Sequence, residues 1–122
     1  MGADRDSLTI GVVGLGYVGL PLAVAFAEAG HHVIGVDTDS RRATAVSSGR
    51  SHVEDVPDER LAAVAHRVTA TTRVAQLARA DAIVICVPTP LTSNREPDLT
   101  PLMDAATALA QVLQAGQLVV LE

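Results

Sequence analysis

The stretch from Thr9 to Asp37, T-I-G-V-V-G-L-G-Y-V-G-L-P-L-A-V-A-F-A-E-A-G-H-H-V-I-G-V-D, constrains the rest of the chain. An apolar run leads into Gly14-Leu15-Gly16-Tyr17-Val18-Gly19, an alanine-rich helical pattern follows, and a second apolar run ends on Asp37. That layout of strand, glycine turn, helix, strand and acid is the pattern of a dinucleotide-binding βαβ unit. Each glycine has its own reason. Gly14 makes the tight turn at the strand end, Gly16 leaves room for a pyrophosphate, and Gly19 lets the helix pack closely. The first helical turn then offers free N–H groups and the positive end of a dipole to phosphates. Asp37 is placed to accept hydrogen bonds from a ribose hydroxyl pair.

The remaining chain reads as alternating strands and helices. The spacing predicts strands at Leu8–Val13, His32–Val36, Val68–Ala70, Ala82–Val87 and Leu118–Leu121. Helices are expected at Tyr17–Ala29, closed by Gly30, and at Ser40–Ser48, with Asp39 as N-cap and Gly49 as terminator. Further helices are expected at Pro57–Ala65, after Thr71 or Thr72 as far as Arg79, and at Pro101–Gln114 with Thr100 as cap. The first helix is apolar on nearly every face, which predicts burial between the sheet and another layer. The fold class is α/β: a Rossmann-type doubly wound parallel sheet, strand order 3-2-1-4-5, truncated after the fifth strand. The loops after the first and fourth strands then face each other across one crevice, so Gly14–Gly19 and Val87–Thr89 belong to one site.

Composition supports one domain. With 48% hydrophobic, 19% charged and only 2% aromatic residues among 122, the core is built from Val, Leu, Ile and Ala. A domain is expected over residues 8–122, with residues 1–7 a disordered terminus. The net charge of −5 without a basic stripe argues against nucleic acid. No apolar run reaches the ~18 residues of a membrane span, and the polar start is no signal peptide. The single Cys fits a reducing cytoplasm.

Asp37 favours NAD over NADP, because a carboxylate repels the additional phosphate. Arg41 and Arg42 are either solvated helix residues or adenosine contacts. Tyr17 and Val18 sit in the glycine loop, where Tyr17 packs beside the cofactor or covers the loop. Val87, Pro88 and Thr89 bring a stiff backbone and a hydroxyl to the nicotinamide end. Cys86, inside an apolar strand, reads as a small hydrophobe and not a nucleophile. His31, His32, His52 and His66 show no metal-ligand spacing and read as surface or satisfied histidines. Arg95–Asp98 is either a substrate-side loop or a charged turn.

Together, Gly14-Leu15-Gly16-Tyr17-Val18-Gly19-Leu20-Pro21-Leu22-Ala23, Gly35-Val36-Asp37, Cys86-Val87-Pro88-Thr89-Pro90-Leu91 and Arg95-Glu96-Pro97-Asp98-Leu99 resemble the UDP-glucose/GDP-mannose dehydrogenase family. The P-T-P-L stretch followed by R-E-P-D-L is most similar to the branch acting on UDP-N-acetylglucosamine and UDP-N-acetylmannosamine. The resemblance implies NAD-dependent oxidation of the sugar C6 from alcohol to aldehyde to acid. In the family a catalytic cysteine holds the aldehyde, with a lysine and an asparagine supporting the oxyanion. It implies that these residues, and the UDP-sugar domain, lie past Glu122. The chain is therefore expected to be the amino-terminal NAD-binding portion, without catalytic or metal-binding residues of its own and inactive alone. A UDP-glucose 6-dehydrogenase front domain and a stand-alone NAD-binding module are the competing readings. The fifth strand, unpaired on one side, is expected to favour self-association.

Overall fold

A computed structural model describes residues 7–122. It contains a single five-stranded sheet, all parallel, in the order β3-β2-β1-β4-β5. The strands are β1 (Thr9–Val13), β2 (His32–Val36), β3 (Val68–Thr71), β4 (Ala82–Ile85) and β5 (Leu118–Leu121). Helices α1 (Gly19–Glu28), α2 (Ser40–Ser47), α3 (Asp58–Val64) and α4 (Thr100–Ala110) fill the crossovers. Short 3-10 segments, Ala65–Arg67 and Val74–Arg79, precede β3 and β4. The strand order is the expected one.

Alternation along the strands divides the core between the two faces of the sheet. Ile10, Val12, Val33 and Val84 join Leu15, Leu20, Ala23, Val24 and Leu61 in one apolar cluster. Ile34, Val36, Ile83 and Ile85 join Leu77 and Leu109 in the other. Successive strand residues point to opposite faces, so strands covered on both sides read as continuous apolar runs.

Several boundaries depart from the sequence reading for local reasons. β4 ends at Ile85 and not Val87. A Cβ on Gly14 would lie 2.9 Å from the Cys86 carbonyl oxygen, so the glycine turn occupies the space beside the next peptides. Pro88, which has no N–H, then prevents further pairing. The segment before β4 is a 3-10 helix with Arg73 at its N-cap, and the Thr71 hydroxyl accepts the Arg73 N–H one residue earlier. α4 begins at Thr100 itself, and the Asp98 carboxylate accepts the Thr100 N–H at 2.9 Å. Asp98, not Thr100, therefore provides the capping side chain. α4 stops at Ala110 because tight turns follow: Val112 N–H bonds to Leu109, and the Gln117 amide oxygen accepts Gln114 N–H. α1 starts at Gly19, two residues after the expected Tyr17, since Tyr17 and Val18 remain in the loop.

α1 is not enclosed on every face. Leu20, Ala23, Val24 and Ala27 are buried, whereas Ala25 and Glu28 are exposed. Its outer residue Glu28 is held by a two-point ion pair with Arg60 of α3, at 2.8 and 2.9 Å. That pairing lowers the Glu28 carboxyl below the usual carboxylate value. Small alanines make an open face inexpensive. The expected disordered terminus, residues 1–7, lies outside the described residues except for Ser7, whose hydroxyl donates to the Gly30 carbonyl.

β5 pairs only with β4, and all four of its residues are exposed. Leu118 and Leu121 are more than 60% accessible, at 61% and 63%. Where the last loop turns into β5, the Gln117 amide donates to the carbonyls of Leu77 and Ala80, at 2.9 and 2.7 Å. It thereby adds a second donor to the Leu77 carbonyl, which already accepts the Ala80 N–H, and supplies a donor to the Ala80 carbonyl at the end of the second 3-10 segment.

Candidate cofactor site

The site lies beyond the carboxyl ends of β1, β2 and β4, where the strand order reverses. A cleft of about 1230 Å³ opens there. Gly14, Gly16, Tyr17, Val18, Asp37, Arg42, Val87, Pro88 and Thr89 line it. The glycine loop and the Val87–Thr89 segment therefore share one wall-to-wall crevice, as the strand order requires. Of the candidate residues in the glycine motif, Gly19 does not line the cleft; it is buried. A Cβ at Gly19 would lie 1.6 Å from the Gly14 carbonyl oxygen, so its place is beneath the loop.

The glycines divide the work by position. Gly14 takes φ +95°, a conformation that L side chains rarely adopt. Gly16 faces open space: the nearest heavy atom to a Cβ there would be the Arg42 Nη1, 4.0 Å away. The start of α1 has no side-chain cap, its N-cap being Val18. Among the described residues, the N–H groups of Gly16, Tyr17 and Val18 have no protein acceptor. Unpaired amides at the positive end of a ten-residue helix make an anion-binding surface. An oxyanion group such as a pyrophosphate fits this surface without displacing any internal bond.

Asp37 is held at the opposite end of the loop. It is 7% exposed, and its two oxygens accept the N–H groups of Leu15 and Asp39, each at 2.9 Å. The carboxylate thus ties the glycine loop to the end of β2 while lining the cleft. Each carboxylate oxygen accepts more than one hydrogen bond, so capacity remains for ribose hydroxyls. The two arginines separate. Arg42 places its guanidinium 3.9 Å from Asp37 and lines the cleft. The Arg41 side chain is 92% exposed beside Asp39, away from the cleft.

Some residues of the cleft were not singled out by the sequence reading. His52 and Val53 also line it, and Thr100, Pro101 and Asp104 bring the start of α4 to it. The strand order announced α4, because the connection after β4 must leave from the same edge. Nothing in the sequence announced His52, which comes from the loop between α2 and α3. Cys86 also lines the cleft. Burial and the nearby Glu122 carboxylate push its thiol up to about 11, so it is not a thiolate near neutral pH. Arg95–Asp98 forms a turn in which Leu91 bridges Pro97 and Thr92 exchanges bonds with Arg95 and Glu96, and its last residue, Asp98, lines the cleft. No group of His, Cys, Asp or Glu among the described residues has the arrangement of a metal site.

Comparison with known proteins agrees with this geometry. Residues 8–122 match the UDP-glucose/GDP-mannose dehydrogenase family, NAD binding domain. The chain belongs to that family. It contributes the family's NAD-binding Rossmann domain. The NDP-N-acetyl-D-galactosaminuronic acid dehydrogenase of Ralstonia nicotianae is 41% identical over 119 residues, covering 98% of this chain and 28% of that protein. The UDP-N-acetyl-D-mannosamine dehydrogenase of Escherichia coli is 42% identical over 121 residues, covering 93% of this chain and 27% of that protein. The solved UDP-D-ManNAc dehydrogenase of Pyrococcus horikoshii superposes with a TM-score of 0.87 at 39% identity, covering 94% of this chain and 28% of that one. The chain thus spans somewhat over a quarter of the length of these relatives, 27% to 28%.

Proposed function

We propose that this domain binds NAD across the cleft, as the cofactor half of an oxidoreductase acting at C6 of a UDP-N-acetylhexosamine. The observation that carries the reading is the uncapped start of α1. Its unpaired N–H groups lie between Asp37 on one side and Pro88–Thr89 on the other. In the proposal the amides of Gly16, Tyr17 and Val18 hold the pyrophosphate. Asp37 takes the adenosine ribose, with Arg42 beside it, and Val87, Pro88 and Thr89 shape the nicotinamide end. NAD, when bound, supplies the hydride acceptor. The sugar assignment rests on relatives named for UDP-N-acetyl-D-mannosamine and UDP-N-acetyl-D-glucosamine. UDP-glucose is the competing substrate, and a substrate panel on the full-length enzyme separates the two.

Within these residues we assign no catalytic group. Cys86 is protonated near neutral pH and has no hydrogen-bonded base, so the domain by itself is proposed to bind NAD without oxidising a sugar. Calorimetric titration with NAD tests the reading directly, and absence of binding overturns it. A cytoplasmic setting accords with its single free thiol.

Cofactor choice follows from Asp37. NADP is expected to bind at least about tenfold more weakly than NAD, because its 2′-phosphate meets a buried carboxylate. Asp37→Asn should narrow the gap. Equal affinities for the two cofactors in the wild-type protein would remove the role given to Asp37.

The exposed apolar residues of β5 and its unpaired edge support a further proposal, that the 122-residue chain associates with itself through this strand. Sedimentation across a concentration series should show a rising mass, and a constant monomer mass at the highest concentration sinks the idea.

A further inference from the structure

His52 comes from a connecting loop, yet it touches the glycine loop. Its Nε2 is hydrogen bonded to the Leu15 carbonyl oxygen, 37 residues earlier in the chain. A carbonyl only accepts, so Nε2 carries the proton and donates. We infer that His52 is a positioning residue for the dinucleotide loop, acting through the Leu15 peptide to orient the amides that meet the phosphates. The inference rests on the reading of the cleft as the NAD site.

Three contacts hold Leu15, two from β2 and its end and one from the loop between α2 and α3. Its N–H goes to the Asp37 carboxylate at the end of β2. Its side chain is wholly buried and lies against Gly35, where a Cβ would approach a Leu15 methyl to 2.9 Å. Its carbonyl goes to His52. In a trans peptide the C=O and the following N–H point in opposite directions. Holding the Leu15 carbonyl therefore sets the direction of the Gly16 N–H, the first of the unpaired amides at the cleft. A loop held this way before ligand arrives does not have to be ordered by it.

The His52 segment is itself anchored, so the ring is not a passing surface group. Ser51 N–H bonds to the Asp58 carboxylate at 2.8 Å, and the Ser51 hydroxyl bonds to both the N–H and the carbonyl of Val53 at 3.0 Å. Val53 and Val56 are buried in the core beside α1 and α3. The chain on both sides of His52 is thus fixed, and the side chain is delivered to the rim of the cleft, where it forms part of the lining.

The test uses three variants of the 122-residue protein, His52→Ala, His52→Asn and His52→Gln. The Gln amide nitrogen reaches the position of Nε2, whereas that of Asn stands in for Nδ1. Loss of one net hydrogen bond predicts NAD affinity lower by roughly five- to tenfold in the Ala and Asn variants. His52→Gln should stay within roughly twofold of wild type. In the ligand-free protein, the Gly16 amide resonance should move in the Ala and Asn variants and hold its position in the Gln variant. Wild-type affinity in the Ala or Asn variant overturns the inference. So does an equal loss in all three, which would mean that the ring touches the ligand itself. If wild-type protein fails to bind NAD, the reading of the cleft falls; the Gly16 resonance still reports whether His52 orients the loop.

Discussion

Gly16→Val is expected to abolish NAD binding while leaving the domain folded. Gly16 lies in the wall of the cleft, and a Cβ there meets nothing nearer than the Arg42 Nη1 at 4.0 Å. Its φ is outside the left-handed range that would penalise a side chain. The fold therefore has no reason to reject the substitution, and stability should change by no more than about 1 kcal/mol. The cleft does have a reason. The valine side chain would stand in the space beside the unpaired amides of Gly16, Tyr17 and Val18, where the phosphates are proposed to sit. A loss of at least about a hundredfold in affinity, on the order of 3 kcal/mol, is expected. Calorimetry with NAD and thermal unfolding of the same sample check both halves. Undiminished binding would contradict the proposed place of the pyrophosphate.

Gly19→Ala is expected to do the reverse, damaging the fold first. The added methyl would stand 1.6 Å from the Gly14 carbonyl oxygen and 3.3 Å from the Cys86 Cβ. Neither neighbour can withdraw easily. Gly14 is fixed by its N–H bond to the Val36 carbonyl at 2.7 Å, and Cys86 by its N–H bond to Val13 at the same distance. α1 would have to lift away from the ends of β1 and β4, an overpacking cost of about 3 kcal/mol. For a domain near this size that corresponds to a fall in melting temperature of roughly 12 °C or more. NAD binding should fall with it, because the helix start moves. A melting curve coincident with wild type would show that the packing at Gly19 is looser than this geometry requires.

These two glycines occupy the same short motif and read alike as letters, yet one lines the cleft and the other packs beneath the loop. The motif's spacing allowed both positions to be read from sequence, since a strand, a glycine turn and a helix leave few ways to connect. The same is true of the strand order and of the crevice between Gly14–Gly19 and Val87–Thr89. Continuous apolar runs separated by helical patterns demand a parallel sheet with right-handed crossovers, and the site then follows from where the order reverses. Element ends were less legible. β4 stops early because the glycine turn crowds Cys86, and α4 takes its capping group from Asp98 because Thr100 already lies inside the helix. Both depend on neighbours distant in sequence or on the phase of a loop, which local spacing does not carry.

The sequence by itself determined that this chain forms a doubly wound α/β domain with a dinucleotide loop, and that the acid ending β2 is Asp37. Tertiary structure alone decided which side chains complete the loop. It turned Arg42 toward Asp37 and Arg41 outward. It brought His52 to the Leu15 carbonyl and the start of α4 to the cleft. The physical reason is the range of the forces. Apolar periodicity and glycine conformation are properties of a few adjacent residues, legible in order along the chain. The partner of a carbonyl is whichever donor the packed core delivers to it, and for Leu15 that donor lies 37 residues away.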